Sequence, residues 1–359
     1  MNILLTANFE RGLFCNGLQQ NIVFLAELIK DIGFNPIICI NHSIDDCKDA
    51  PQGILIIEEK EIKEYGQDLN FIINSAFALE RSEIDFIKEN SSRCKNIHVI
   101  YGNSMLADIE RCSWDNAIPN EAYKVDEVWV SPHYEFSYNY FKTYYKTDRV
   151  LELPYIWSSK YVEIHEKIWN KTGKTCFYSP EKEKNIAILE PNLNMTKHCL
   201  PSIMIAEEYF RNYNKNSFNK LTSYCSQKLA DKKYFKFFMW SLEITNSKKI
   251  NFAAREKVSK IFSSDCNIVL SHQLMNALNY TYLEAFYFNI PLVHNSEYIK
   301  DAGYYYKDYD TKKGASRLNE ALNFHDKNIE EYNCKAKSVI ERYSPKNPQV
   351  IEKYRKLLS

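Results

Sequence analysis

The opening of this chain is what most constrains its fold. Asn2-Ile-Leu-Leu-Thr-Ala7 is a short, continuous apolar run, residues 8–16 form a loop containing Gly12, and residues 17–32 carry apolar side chains at Ile22, Leu25, Leu28, Ile29 and Ile32. The first run is apolar on both of its alternating faces, so it predicts a strand covered on both sides. The second has the spacing of one face of a helix. Gly33 stands where a left-handed helix end belongs, and Pro36-Ile-Ile-Cys-Ile40 is a second apolar strand. A strand, a loop, a helix and a second buried strand make a crossover unit, and such units build parallel sheets with helices on both faces.

The pattern continues through the first half. Further strands are expected at 54–57, 71–74, 97–101, 127–130 and 150–153, with a helix near 82–89. Residues 1–155 therefore read as one doubly wound, Rossmann-like domain. Residues 156–184 are polar and lysine-rich without a clear period, and are expected to be the interdomain connection. At Asn185-Ile-Ala-Ile-Leu189 the pattern restarts, with strands at 220–223, 267–271 and 291–294 and helices at 201–210, 234–242, 255–262 and 281–288. Residues 185–342 form the second such domain, ending in helices at 316–325 and 328–342. A last helix, within 343–359, starts at Pro348, the favoured first position, and is expected to pack back on the N-terminal domain. A length of 359 residues suits two domains. Two doubly wound domains facing one another leave a central cleft, and open parallel sheets bind ligands beyond the carboxyl ends of their strands.

Charge narrows the partners. Lys plus Arg and Asp plus Glu balance at 46 each, so the basic surplus of a nucleic-acid binder is missing. The halves differ: residues 1–155 hold 14 basic against 24 acidic side chains, the remainder 32 against 22, which predicts that the second half faces an anion. The ten cysteines show no C-x-x-C pair and no histidine spaced for zinc, so they are expected to be reduced thiols of a cytoplasmic protein without a metal site. No apolar stretch approaches the ~20 residues of a membrane span, and the N-terminus reads straight into a strand, so neither a membrane span nor a signal peptide is expected. A peripheral membrane contact through the basic half stays open, although no strongly amphipathic basic helix stands out.

Several segments carry chemistry. In Tyr282-Leu-Glu-Ala-Phe-Tyr-Phe-Asn-Ile-Pro-Leu-Val-His294, a short helix bearing Glu284 near its start is followed by a small turn, Pro291 and a buried strand. In Glu190-Pro-Asn-Leu-Asn-Met-Thr-Lys197, Lys197 lies just before Pro201, so its ammonium and free helix N–H groups are expected to converge on a diphosphate, with Asn194 alongside. Arg255 is a second basic candidate. Ser271-His-Gln-Leu-Met-Asn-Ala-Leu-Asn-Tyr280 follows a strand and offers His272, Asn279 and Tyr280. In the first half, Phe14-Cys-Asn-Gly-Leu-Gln-Gln-Asn21 offers Asn16, Gly17 and Gln20. It is not G-x-G-x-x-G, so a dinucleotide cofactor is not expected. Asn103 follows a strand, and Asp108 and Glu110 are read in the same loop; with Glu10 and His133 they qualify by position as a general base. Asp308-Tyr-Asp310 matches the bare D-x-D metal string, and its setting marks it as chance.

Asn16-Gly-Leu-Gln-Gln-Asn21, Asp126-Glu-Val-Trp-Val130, Pro154-Tyr-Ile-Trp157, Ile188-Leu-Glu-Pro-Asn-Leu-Asn194, Ser271-His-Gln273, Leu278-Asn-Tyr280, Pro291-Leu-Val-His-Asn-Ser296 and Gly303-Tyr-Tyr-Tyr306 run in order along almost the whole chain. Together they resemble a bacterial family of unknown function similar to GT-B glycosyltransferases. The segment 282–294 by itself resembles the GT-B donor-binding pattern E-A-x-x-x-G-x-P-V-V. It departs in having Asn289-Ile290 where the glycine falls, and Ala277 where many retaining members carry a second glutamate. The resemblance implies a GT-B-like fold and a metal-independent, cofactor-free transfer of sugar from a nucleotide-sugar to a glycan or other hydroxyl acceptor. Glu284, Lys197, Arg255, Asn194, His272, Asn279 and Tyr280 would then hold the donor. Asn16, Gly17, Gln20 and Asn103 would hold the acceptor, and Asp108, Glu110 or Glu10 would serve as base in an inverting reaction. Two alternatives stand beside it: a sugar-nucleotide epimerase or hydrolase of the same fold, and a non-catalytic carbohydrate- or nucleotide-binding module.

Overall fold

Every strand pair in the two sheets is parallel, the arrangement that runs apolar on both faces demand. The computed structural model describes residues 1–10, 12–13, 17–47, 51–114, 124–264 and 266–359. The chain divides into unit 1, residues 1–158 and 343–359, and unit 2, residues 159–342.

Unit 1 holds β1 (Asn2–Ala7), β2 (Asn35–Ile40), β3 (Leu55–Glu58), β4 (Leu69–Asn74), β5 (Lys95–Ile100), β6 (Glu127–Val130) and β7 (Val150–Glu152), in the order β3-β2-β1-β4-β5-β6-β7. Its helices are α1 (Gly17–Asp31), α2 (Ile62–Tyr65), α3 (Arg81–Asn90), α4 (Ser104–Trp114) and α5 (Tyr138–Tyr145). Ile3, Leu4 and Leu5 in β1 are fully buried, as are Ile22 and Ile29 on the inner face of α1. Gly33 ends that helix region with φ +93°, a conformation open to glycine without strain.

Unit 2 holds α6 (Lys160–Asn170), then β8 (Ile186–Ile188), α7 (Leu200–Asn212), β9 (Leu221–Ser223), α8 (Gln227–Ala230), α9 (Lys233–Trp240), α10 (Glu243–Asn246), β10 (Ile250–Phe252), α11 (Val258–Ser264), β11 (Ile268–Leu270), α12 (Tyr280–Tyr287), β12 (Leu292–His294), β13 (Tyr304–Tyr305), α13 (Thr311–Asn323) and α14 (Ile329–Arg342). Its sheet order is β10-β9-β8-β11-β12-β13. Ile186 and Ile188, Ile203 and Ile205, Leu221, Leu270 and Leu318 pack into one core between sheet and helices.

The strand order of each sheet reverses at one place, between β1 and β4 and between β8 and β11, while all strands stay parallel. At such a switch the flanking crossovers diverge to opposite faces and leave a crevice beyond the strand ends.

Four features depart from the sequence-based expectation or add to it. Residues 159–184, expected to belong to the connection, are part of unit 2. Trp169 Nε1 donates to Ser259 Oγ at 3.3 Å and Cys176 Sγ lies 3.3 Å from the Ser259 carbonyl, tying α6 and the segment after it to α11. The lysines that obscure the period of α6 lie on its open face. Asp108 and Glu110 stand on α4 rather than in a loop. The edge strands β10 and β13 leave no mark in the sequence pattern, because three residues beside Lys248-Lys249 and a two-residue Tyr-Tyr pairing are too short to show a period. The C-terminal helix, Pro348–Leu357, belongs to unit 1, where the Tyr354 hydroxyl donates to the Pro154 carbonyl at 2.7 Å and Lys353 pairs with Glu152 at 2.8 Å. The nine described cysteines are free, and no helix among the described residues is long and apolar enough to cross a membrane.

Candidate functional site

Unusual electrostatics gather at the switch of unit 2. Glu190, two residues past the end of β8, is buried and accepts hydrogen bonds at one oxygen, Oε1, from Ser271 Oγ at 2.5 Å and from the His272 backbone N–H at 3.2 Å. Its other oxygen, Oε2, is buried with no hydrogen-bond partner among the described residues. Burial pushes the carboxyl up to about 7 against the opposing pull of the Ser271 hydroxyl and nearby backbone N–H groups. The Ser271 hydroxyl also meets the Tyr282 hydroxyl at 2.9 Å, which links the end of β11 to the first turn of α12.

The loop after β8 is held in shape by Asn192, which adopts φ +54°. Its amide donates to the carbonyls of Glu190 at 3.0 Å and Cys225 at 3.3 Å, and its oxygen accepts from Cys199 N–H at 2.8 Å. This loop delivers Lys197. Burial, and then the nearby Arg255 guanidinium, hold the Lys197 ammonium below the usual lysine range. Neither Lys197 nor Arg255 makes an ion pair with a carboxylate among the described residues. Two cations kept together without an acid between them cost folding energy, and an anionic ligand would recover it.

The start of α7 offers fewer free N–H groups than expected. Cys199 N–H is spent on Asn192, Leu200 N–H on His198 Nδ1 at 3.2 Å, and Pro201 has none.

Glu284 lies in the second turn of α12 rather than at its start. Its carboxyl makes no hydrogen bond or ion pair among the described residues, keeps partial exposure, and is pushed up to about 7 by burial alone. Asn279 takes the helix-start role instead, its oxygen accepting from Thr281 N–H at 3.2 Å. Tyr280 is buried as the first residue of the helix. Position 277, where a second glutamate would fall, is alanine, and its carbonyl accepts from the Ser296 hydroxyl.

His272 is buried and burial drives its imidazole down to about 4, so it is neutral at physiological pH. Nδ1 lies 2.8 Å from the Tyr306 hydroxyl, whose one proton goes to the Ser271 carbonyl at 3.2 Å. That network assigns the proton to Nδ1 and leaves Nε2 an acceptor. Asn295 clamps the same loop, accepting from Gln273 N–H at 2.9 Å and donating to the Gln273 and Asp308 carbonyls at 3.0 Å. Asn194 spends its oxygen on Thr196 Oγ1 at 2.7 Å.

The D-x-D string has structural employment: Asp310 caps α13 through Lys313 N–H at 2.9 Å, and the Asp308 carbonyl serves Asn295. Among the described residues, no three His, Cys, Asp or Glu side chains converge as metal ligands would.

In unit 1, Gly17 opens α1, and Gln20 is buried with its amide donating to the Leu13 carbonyl at 3.2 Å. Asn103 is buried and its oxygen accepts from Leu106 N–H at 3.2 Å at the start of α4. Asp108 accepts from the Tyr140 hydroxyl at 3.0 Å, Glu110 lies half-buried on the same helix, and Glu10 is exposed in the turn after β1. Asn16 falls outside the described residues. The structure thus brings Lys197 and Arg255 together around the switch of unit 2, and gives Gln20, Asn103, Asn194 and Asn279 work in holding their own loops. Sequence reading passed over Glu190, Ser271, Asn192 and Tyr306. Glu190 did carry a signal, an acid set directly after an apolar strand and before Pro191.

Two parallel sheets of Rossmann order, one per unit, are the elements of the GT-B class of fold, and comparison with solved structures bears this out. The chain is similar to a TarM mutant from S. aureus in complex with Fondaparinux, alpha-GlcNAc-glycerol and UDP (TM-score 0.52, 13% identity, 84% of this chain), and spans 58% of that protein's length. It is similar to an alpha-glucosyltransferase in complex with UDP (TM-score 0.62, 10% identity, 100% of this chain and 99% of the other). It is likewise similar to Anabaena HepE in complex with UDP-glucose (TM-score 0.55, 9% identity, 99% and 100%). No curated sequence matches it. Residues 3–358 match the family described as protein of unknown function (DUF2827), and the chain belongs to that family.

Proposed function

We propose that this protein is a glycosyltransferase that takes a sugar from a nucleoside-diphosphate donor bound to unit 2. The observation that carries the reading is the acid-free pair Lys197 and Arg255 beside the switch between β8 and β11. In transfer, an acceptor hydroxyl oxygen bonds to the anomeric carbon as the bond from that carbon to the diphosphate breaks. The electron pair leaves with the nucleoside diphosphate, and the two cations stabilise the charge that develops there. They do the neutralising work of a metal ion, so the reading needs none. The Glu284 carboxylate, without a partner among the described residues, accepts hydrogen bonds from the ribose or sugar hydroxyls, and His272 Nε2 is a further acceptor. Asp108, Glu110 or Glu10 of unit 1 receives the acceptor's proton if configuration is inverted.

Ala277 favours a second reading, a binding module that holds the same ligands without turnover. Thermal unfolding with UDP, GDP, CMP and dTDP and their sugars tests both. A ligand at about 100 times its Kd stabilises the protein by about 2.7 kcal/mol. One nucleotide should raise the melting of unit 2 in wild type and fail to do so in Glu284→Ala and Lys197→Ala. Sugar release or transfer is then followed with and without acceptor glycans. Turnover only with acceptor is the transferase, rapid consumption of the donor alone is a hydrolase or epimerase, and binding with no turnover is the module. No stabilisation by any nucleotide overturns the donor site itself.

A further inference from the structure

Helix α9, Lys233-Tyr-Phe-Lys-Phe-Phe-Met-Trp240, is built against the usual rule for a surface helix. Phe235 and Met239, one turn apart, face the core of unit 2 with Leu242 and Ile244. The opposite side should be polar and is not. Tyr234 is 89% exposed, Phe237 74%, Trp240 66% and Phe238 41%, four large aromatic rings turned to solvent within seven residues. At helical spacing, Trp240, Lys233, Phe237 and Tyr234 follow one another around the outward arc, with Lys236 at its margin. Lys228 and Lys232 flank the helix, and the acid among them is Asp231, 3.9 Å from Lys236 and itself 81% exposed at its side chain.

We propose that α9 and its flanking lysines dock unit 2 on the surface of an anionic lipid bilayer. Aromatic rings with one polar edge, Tyr and Trp, sit at the boundary between headgroups and acyl chains, and Phe237 and Phe238 enter just below it. The lysines keep their ammonium groups at the level of the lipid phosphates while their stems lie along the apolar layer. Charge selects this occupant over a protein partner. Lysine is depleted from the dry centre of protein interfaces, whereas four lysines interleaved with exposed aromatics match a negatively charged headgroup layer. The contact is lateral, since no described helix is long and apolar enough to span. It does not rest on the transferase reading.

The full chain is sedimented with vesicles of phosphatidylcholine alone and of phosphatidylcholine with phosphatidylglycerol. Wild type should pellet with the second kind and not the first, and its tryptophan emission should shift to shorter wavelength and be quenched by brominated lipid. Phe237→Ser with Trp240→Ser, and separately Lys232→Glu with Lys233→Glu and Lys236→Glu, should each weaken partition by about tenfold or more. These side chains are exposed, so both variants should melt as wild type does; the lipid quenching of wild type stands as evidence without them. Wild type that stays in the supernatant overturns the proposal. So does equal partition of the aromatic variant, or concentration-dependent self-association of wild type that the aromatic variant abolishes while vesicle binding is absent.

Discussion

Ser271 and Glu190 meet across the switch of the second sheet, the hydroxyl at the end of β11 donating to the carboxyl that follows β8 at 2.5 Å. One bond joins the two loops from which a ligand would be held, and it leaves the second carboxyl oxygen buried and without a partner among the described residues. Burial keeps a proton on Glu190 to higher pH than a carboxyl in water would hold it, against the opposing pull of the Ser271 hydroxyl.

That proton gives a prediction about stability. With the folded value at about 7 and the ordinary value at 4.5, both states are protonated below about pH 4.5. Between 4.5 and 7 the folded form keeps the proton that the unfolded chain releases, so the contribution of Glu190 falls as pH rises, and it is lost above about 7. At about 1.4 kcal/mol for each pH unit, the total is on the order of 3 kcal/mol. Glu190→Gln should therefore gain on wild type by up to that amount between about pH 5 and pH 8, read from the unfolding transition of unit 2. His272 and His294, driven down by burial, add an opposite slope common to both proteins, which the difference cancels. A pH-independent difference would refute the assignment.

Lys197→Met should separate stability from binding. Removing an ammonium that is desolvated and repelled by Arg255 should leave the empty protein as stable as wild type or about 1 kcal/mol more so. Affinity for a nucleoside diphosphate should nevertheless fall more than about tenfold, and Arg255→Ala should do the same. Calorimetric titration and melting of each variant check the two halves independently.

Gly303 sits at φ +72°, and a Cβ there would lie 2.8 Å from His294 Nε2 and 2.9 Å from the Leu292 carbonyl. His294 cannot yield, because Nε2 is bonded to the Ala302 carbonyl at 2.9 Å and the ring is buried. Gly303→Ala should destabilise unit 2 by about 2 kcal/mol or more, from strain and clash together. Denaturant titration that finds no loss would show that β13 can shift.

Tyr354→Phe removes the buried hydrogen bond by which the C-terminal helix holds Pro154. About 1 to 2 kcal/mol should be lost from unit 1. The melting of unit 2 should not change, a contrast that differential scanning calorimetry can resolve if the two units melt separately.

The strands and long helices were legible because burial leaves a period: Ile3 to Leu5 in β1 and Ile186 to Ile188 in β8 are apolar on both faces, and α1 repeats its buried positions every three to four residues. Two parallel sheets followed from that pattern. Lys197, Arg255 and Glu284 could be singled out by their place after strands and beside proline, since loops at strand ends are where such a sheet presents side chains.

What only the tertiary structure decided is which of these side chains go unpaired. Asn279 and Asn103 look as free as Glu284 in a string of letters, yet the first two cap helices while Glu284 has no partner among the described residues. Glu190 and Ser271 are 81 residues apart, and nothing local marks them as bonded. A chain fixes its own period of burial residue by residue. Desolvation and hydrogen-bond partnership depend on distances between remote segments, and those exist only once the sheet has set β8 beside β11.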